Sequence, residues 1–112
     1  MSLKEKILIA DDSEMNQMLL EEILSDKYEY VMAKDGTEAV DILEKNEDID
    51  LVMLDINMPK MDGFGVLNVM NSRHWIDDIP VIMISSEDSA QHIRRAYDMG
   101  VSDYISRPFD AE

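Results

Sequence analysis

Two four-residue apolar runs, Ile7-Leu8-Ile9-Ala10 and Leu51-Val52-Met53-Leu54, each stop at acid, the first at Asp11-Asp12 and the second at Asp55. A continuous apolar run this short, bounded by polar residues, reads as a strand covered on both faces, as in a parallel sheet. Parallel neighbours cannot be joined by a tight turn, so the chain between them must supply crossovers. Acids placed where such strands end lie in the crevice where open α/β sheets bind ligands.

The rest of the chain alternates between strand and helix periods, the pattern of βα units. Strand one runs from about Lys6 to Ala10. A helix follows from about Ser13 to Ser25, with Met15, Met18, Leu19 and Ile23 expected on its inward face at i, i+3, i+4 and i+8. Strand two, Tyr28 to Ala33, mixes charged and apolar residues and reads as an edge. Asp35-Gly36-Thr37-Glu38 resembles a capping box and opens a helix carrying Ala39, Ile42 and Leu43. Strand three is Ile49 to Leu54, followed by the loop Met58-Pro59-Lys60-Met61-Asp62-Gly63 and a helix carrying Phe64, Leu67 and Met70. Strand four is Val81 to Ile84. A helix starting near Asp88-Ser89-Ala90-Gln91 turns Ile93, Ala96 and Tyr97 inward and stops at Gly100. Strand five, about Ser102 to Ile105, is polar enough for the opposite edge.

Right-handed crossovers then give an α/β, doubly wound five-stranded parallel sheet with helices on both faces. The flavodoxin-like order 2-1-3-4-5 puts the most apolar strands in the middle and the switch point between strands one and three. Asp11, Asp12 and Asp55 end those neighbours, so three carboxylates converge in one pocket.

With 112 residues and no cysteine, the sequence reads as one domain, 1–112, without disulfide or thiolate chemistry. Ten basic against twenty-five acidic residues leave a formal charge of −15, which disfavours nucleic acid and anionic membranes and favours cations or basic partner patches. No apolar run approaches a membrane span, and Met1-Ser2-Leu3-Lys4-Glu5-Lys6 lacks the apolar core of a signal peptide, so a cytoplasmic location is expected.

Three adjacent carboxylates call for a cation. All-oxygen donors without Cys or a nearby His suit Mg2+, with Mn2+ as the substitute, rather than Zn2+. A carboxylate beside Mg2+ is also a route to an aspartyl-phosphate, with Asp as nucleophile. Phosphoryl transfer further needs a hydroxyl or amide donor and a fixed cation. Ser85 at the end of strand four and Arg107 just past strand five are the candidates.

Taken together, Asp11-Asp12, Leu54-Asp55-Ile56-Asn57-Met58-Pro59 with Met61-Asp62-Gly63, Ser85, and Asp103-Tyr104 with Arg107-Pro108-Phe109 resemble the receiver domain of two-component response regulators, of the chemotaxis type, over nearly the whole chain. The resemblance implies a signalling domain rather than a turnover enzyme. Asp55 would accept the phosphoryl group of a histidine kinase or phosphotransfer protein in a phosphorelay, and the modification would switch partner binding, a phosphorylation-dependent homodimer included. It implies that Asp12, Asp55 and the main-chain carbonyl of Asn57 bind Mg2+ directly and that Asp11 acts mainly through water. It also implies that Ser85 is a switch hydroxyl, that Tyr104 is an aromatic that turns inward, and that the peptide before Pro108 is cis.

Two features depart from the family pattern. Arg107 stands where the family usually has Lys, exchanging a compact ammonium for a planar fork. The sequence ends at Asp110-Ala111-Glu112, where a fifth helix would begin, so that helix is expected to be missing. Other readings accompany each claim. Asp11 and Asp12 alone read equally well as helix caps. A degenerate receiver, binding partners without phosphorylation, is the alternative that Arg107 supports. An aspartyl-phosphate phosphatase similar to haloacid dehalogenases would need a second Asp two residues after the first, and that position is Asn57.

Overall fold

In the computed structural model, which describes residues 4–45, 48–86 and 89–106, the apolar runs form one parallel sheet. Its strands are β1 (Lys6–Ala10), β2 (Glu29–Ala33), β3 (Leu51–Asp55), β4 (Val81–Ser85) and β5 (Asp103–Ser106), in the order β2-β1-β3-β4-β5. The expected order is therefore observed. The charged and polar strands β2 and β5 are the edges, where one row of backbone groups is left to solvent. Strand ends run slightly further than the apolar pattern suggests: β3, β4 and β5 finish on Asp55, Ser85 and Ser106. Asp55 and Ser85 are thus held by the ladder itself rather than by a loop.

The helices are α1 (Glu14–Leu24), α2 (Gly36–Lys45), α3 (Gly63–Ser72) and α4 (Ala90–Asp98), with single 3₁₀ turns at Ser25–Lys27 and Trp75–Asp77. Each start has a local cause. Ser13 accepts from Asn16 N–H through its hydroxyl before α1, Asp62 caps α3 by accepting from Gly65 N–H, and Ser89 caps α4 by accepting from His92 N–H. At α2, Asp35 Oδ1 accepts from Thr37 Oγ1 and Glu38 N–H, while Glu38 Oε1 takes the N–H of Lys34, so the box closes one residue earlier than its usual form.

Because side chains alternate across a strand, the sheet builds two cores. Leu8, Ala10, Val52, Leu54, Val81 and Met83 face the helices α2, α3 and α4, which contribute Ala39, Leu43, Phe64, Leu67, Met70 and Ala96. Ile7, Ile9, Met53 and Ile84 lie on the other face with Leu20 of α1. Helices therefore cover both faces, as a doubly wound sheet requires. No helix among the described residues is long and apolar enough to cross a membrane.

One expectation about α1 is overturned. Met15, Met18, Leu19 and Ile23, expected inward, are 78%, 69%, 40% and 56% exposed. The helix instead buries Gln17 and Leu20 and half-buries Leu24. The reason is polar: the Gln17 amide donates to the carbonyl of Asp11 at 2.7 Å and to that of Ala33 at 3.3 Å, closing the ends of β1 and β2. An apolar stripe identifies which helix face is apolar, and the backbone's need for donors decided which face turned in. Tyr97 of α4 is likewise outward, its hydroxyl 3.3 Å from Asp103 Oδ1, while Ala96 is buried and Ile93 half-buried as expected.

Candidate functional site

β1 and β3 pair in register from Ile7 with Leu51 to Ala10 with Leu54. The residues after these pairs, Asp11 and Asp55, therefore emerge side by side at the same end of the sheet. Asp12 follows on the turn into α1. One carboxylate oxygen from each of Asp11, Asp12 and Asp55 lies within 4.8 Å of the others. Asp11 and Asp55 are buried, and Asp12 is exposed. The trio is therefore a pocket with two buried walls and one side open to solvent.

Local bonds fix these side chains. Asp11 Oδ1 accepts from Ser13 N–H at 2.9 Å, and Asp11 N–H donates to the carbonyl of Ala33 on β2 at 2.9 Å. The capping reading is right in part, because Asp11 does organise the turn into α1, while the cap itself is Ser13. Asp55 Oδ1 lies 3.4 Å from the main-chain N of Asn57, which bends the exposed Asn57 backbone toward the carboxylates. Beyond it, Gly63 N–H donates to the carbonyl of Ile56 at 2.8 Å and pins the start of α3 to the end of β3.

Ser85 is fully buried at the end of β4, one residue beyond the pair Asp55 and Ile84. Tyr104 is half-buried in the middle of β5, opposite Met83, and packs against the core beneath α2, α3 and α4. Arg107, Pro108 and Phe109 lie outside the described residues, as does Asp110-Ala111-Glu112, the segment on which the expectation about the fifth helix rests. The structure thus brings Asp11, Asp12 and Asp55 together, sets Ser85 on the adjacent strand end, and leaves Tyr104 one strand further out.

Around the trio, Lys34 Nζ stands 3.7 Å from Glu14 and Lys60 Nζ 3.9 Å from Asp35. The Asp35 carboxyl is held below the ordinary carboxylate range, chiefly by the Thr37 hydroxyl and next by the Glu38 amide. Sequence reasoning missed Gln17 as the residue that ties α1 to the site. Its one visible signal is a lone amide at the spacing of Ser13, Leu20 and Leu24, the face that does turn in.

The donor set fits a hard divalent cation: carboxylate oxygens, no sulfur or imidazole among the three, and an open side for water or phosphate. Two oxygens opposite each other across Mg2+ stand about 4.2 Å apart, twice the Mg–O distance. The 4.8 Å within which the three oxygens lie is close to that span.

Comparison with known proteins agrees with this geometry. The response regulator receiver domain family matches residues 7–112. The chain is 32% identical over 106 residues to a chemotaxis protein CheY homolog of Campylobacter jejuni, covering 93% of this chain and 82% of that protein. It is 39% identical over 106 residues to response regulator RR06 of Streptococcus pneumoniae, covering 92% of this chain and 46% of that longer protein. Among solved structures, the CheX–CheY–BeF3–Mg2+ complex of Borrelia burgdorferi superposes with a TM-score of 0.81 at 34% identity, covering 95% of this chain and 80% of that one. With its strand order, its acidic pocket at the β1/β3 switch point and its match along almost its full length, the chain belongs to the response regulator receiver domains, the signalling modules of two-component systems.

Proposed function

We propose that this domain is a phosphorylation-controlled switch whose phosphoacceptor is Asp55. The observation that carries the reading is the placement of Asp55: the last residue of a central strand, buried, with carboxylate oxygens of Asp11 and Asp12 within 4.8 Å. A carboxylate is a weak nucleophile, so its usefulness depends on being positioned in a site that stabilises the charge of the transferring group.

In this reading Asp12, Asp55 and the Asn57 main-chain carbonyl would hold Mg2+, with Mn2+ as a substitute, and Asp11 would act through water. Bound there, the cation would supply positive charge to offset that of the phosphoryl oxygens. Asp55 supplies the attacking oxygen. A P–O bond forms to its carboxylate as the P–N bond of a phosphohistidine breaks, the electron pair returning to the imidazole nitrogen, which takes a proton from solvent. The donor is a sensor histidine kinase or a phosphotransfer protein. Ser85 donates a hydroxyl hydrogen bond to a phosphoryl oxygen, and Arg107 is the candidate for the fixed cation. Tyr104, one strand from Ser85, turns inward as the hydroxyl moves, which carries the event to the surface of α4 and β5. That surface then binds a protein partner or a second copy of the chain.

The test is incubation of the protein with a small phosphodonor and Mg2+, followed by intact mass measurement. Wild type gains one phosphoryl group and Asp55→Asn gains none. Wild type that stays unmodified with phosphodonor and with phosphorylated kinase alike would instead support a receiver that binds partners without phosphorylation.

A further inference from the structure

The loop of residues 56–62, which carries Asn57 from β3 to α3, is held at both ends. At its base, Gly63 N–H donates to the Ile56 carbonyl at 2.8 Å. Near its far end, Met61 N–H donates back to the Pro59 carbonyl at 2.7 Å across Lys60, whose φ is +69°. That three-residue turn at positive φ is a strained conformation for a residue with a side chain. Strain of this kind persists only where the surroundings over-determine it.

The surroundings are the first turn of α2. Gly36 N–H donates to the Met61 carbonyl at 3.0 Å, and Gly36 is buried. As a first-turn N–H it has no partner inside its own helix, and here it is spent on a neighbouring loop. The approach is so close that a Cβ on Gly36 would stand 2.2 Å from the Met61 oxygen and 2.7 Å from the Met61 carbonyl carbon. Only glycine permits this contact without moving backbone. Asp35 stiffens the same turn, accepting from Thr37 Oγ1 at 2.6 Å and from Glu38 N–H at 2.8 Å, and Lys60 Nζ lies 3.9 Å from its other oxygen.

We propose that Gly36 is a positioning residue for the cation site: its clasp on Met61 keeps the loop against the sheet, so that the Asn57 main chain stays beside Asp55 for metal binding. This rests on the metal reading given above. The energetic link between the clasp and the cation is necessarily mutual. Breaking the clasp weakens Mg2+ binding, and Mg2+ binding tightens the clasp.

Both directions are measurable. In wild-type protein, amide hydrogen exchange at Gly36 slows severalfold in saturating Mg2+ relative to chelator, and slows more than at Ala39, whose N–H bonds to Asp35 O at the start of α2. By calorimetric titration, Gly36→Ala binds Mg2+ on the order of tenfold more weakly. Gly65→Ala is the contrast, because its methyl meets the Met61 side chain, at 2.6 Å from Cγ, and not the Met61 carbonyl that Gly36 holds, and it keeps Mg2+ affinity within about twofold of wild type. Gly36 exchange that ignores Mg2+ in a protein that binds it, or equal weakening by the two alanine substitutions, overturns the clasp while leaving the metal site standing. Wild type that binds no Mg2+ at all overturns both. If Gly36→Ala does not fold, the exchange measurement on wild type decides alone.

Discussion

Exchanging polarity at two adjacent positions of α1 separates its two candidate inner faces. Gln17 is 7% exposed and donates to two carbonyls, whereas Met18 is 69% exposed. Gln17→Met keeps the length of the side chain and removes both donors. The 2.7 Å bond to the Asp11 carbonyl is the main loss, because the Ala33 carbonyl still receives Asp11 N–H at 2.9 Å. Losing such a bond costs about 1 kcal/mol, rising to about 3 where the acceptor finds no replacement. Easier burial of the thioether returns part of that, leaving a net loss of about 1–2 kcal/mol. Met18→Gln, on the solvent side, stays within about 0.5 kcal/mol of wild type. Urea unfolding followed by circular dichroism measures both, and with a slope of about 2 kcal/mol per molar the Gln17 variant shifts its midpoint down by roughly 0.5–1 M. Had Met15, Met18, Leu19 and Ile23 faced the sheet, the ranking would invert, with Met18→Gln costing about 2 kcal/mol or more for burying an amide. That inverted ranking is the result that refutes the placement of Gln17.

Three further outcomes are expected. Mg2+ at tenfold excess over its dissociation constant stabilises the fold by RT ln 11, about 1.4 kcal/mol, and Asp12→Ala removes the gain, read as melting temperature in Mg2+ against chelator. Asp35 has a depressed carboxyl in the folded state, so its contribution is present above the unfolded value of about 3.9 and is lost as pH falls through the lower folded value. Asp35→Asn therefore destabilises at neutral pH, and its melting temperature converges on that of wild type as pH falls below about 3.9 and through the lower folded value, whereas a constant gap would show that the carboxylate charge is irrelevant. Arg107→Lys keeps or raises phosphorylation, while Arg107→Ala still takes up phosphate but loses phosphorylation-dependent partner binding or dimerisation; an alanine variant equal to wild type in the binding assay removes Arg107 from the switch.

Strand order and the acidic trio were legible because both follow from runs that have only one stable use. Ile7-Leu8-Ile9-Ala10 and Leu51-Val52-Met53-Leu54 cannot face water on either side, and Asp11 and Asp55 follow them directly. The faces of α3 were equally legible, since Phe64, Leu67 and Met70 are all buried. α1 was misread because its apolar stripe competes with a polar demand that hydrophobic periodicity does not register: two strand-end carbonyls needing a donor, met by Gln17. Tyr97 was misplaced for a related reason, its ring standing outward with the hydroxyl toward Asp103. The clasp between Gly36 and Met61 joins the first turn of α2 to a loop 25 positions later, and no local pattern in either one announces it.

The central claim is that the phosphoryl group resides on Asp55 and nowhere else. Phosphorylated protein treated with borohydride converts an acyl phosphate into an alcohol, so the modified aspartate becomes homoserine and can be located by peptide fragmentation. The account predicts homoserine at position 55 alone, dependent on Mg2+ during phosphorylation. Homoserine at position 11 or 12, or a phosphoryl group that survives reduction on a serine such as Ser85, would contradict it.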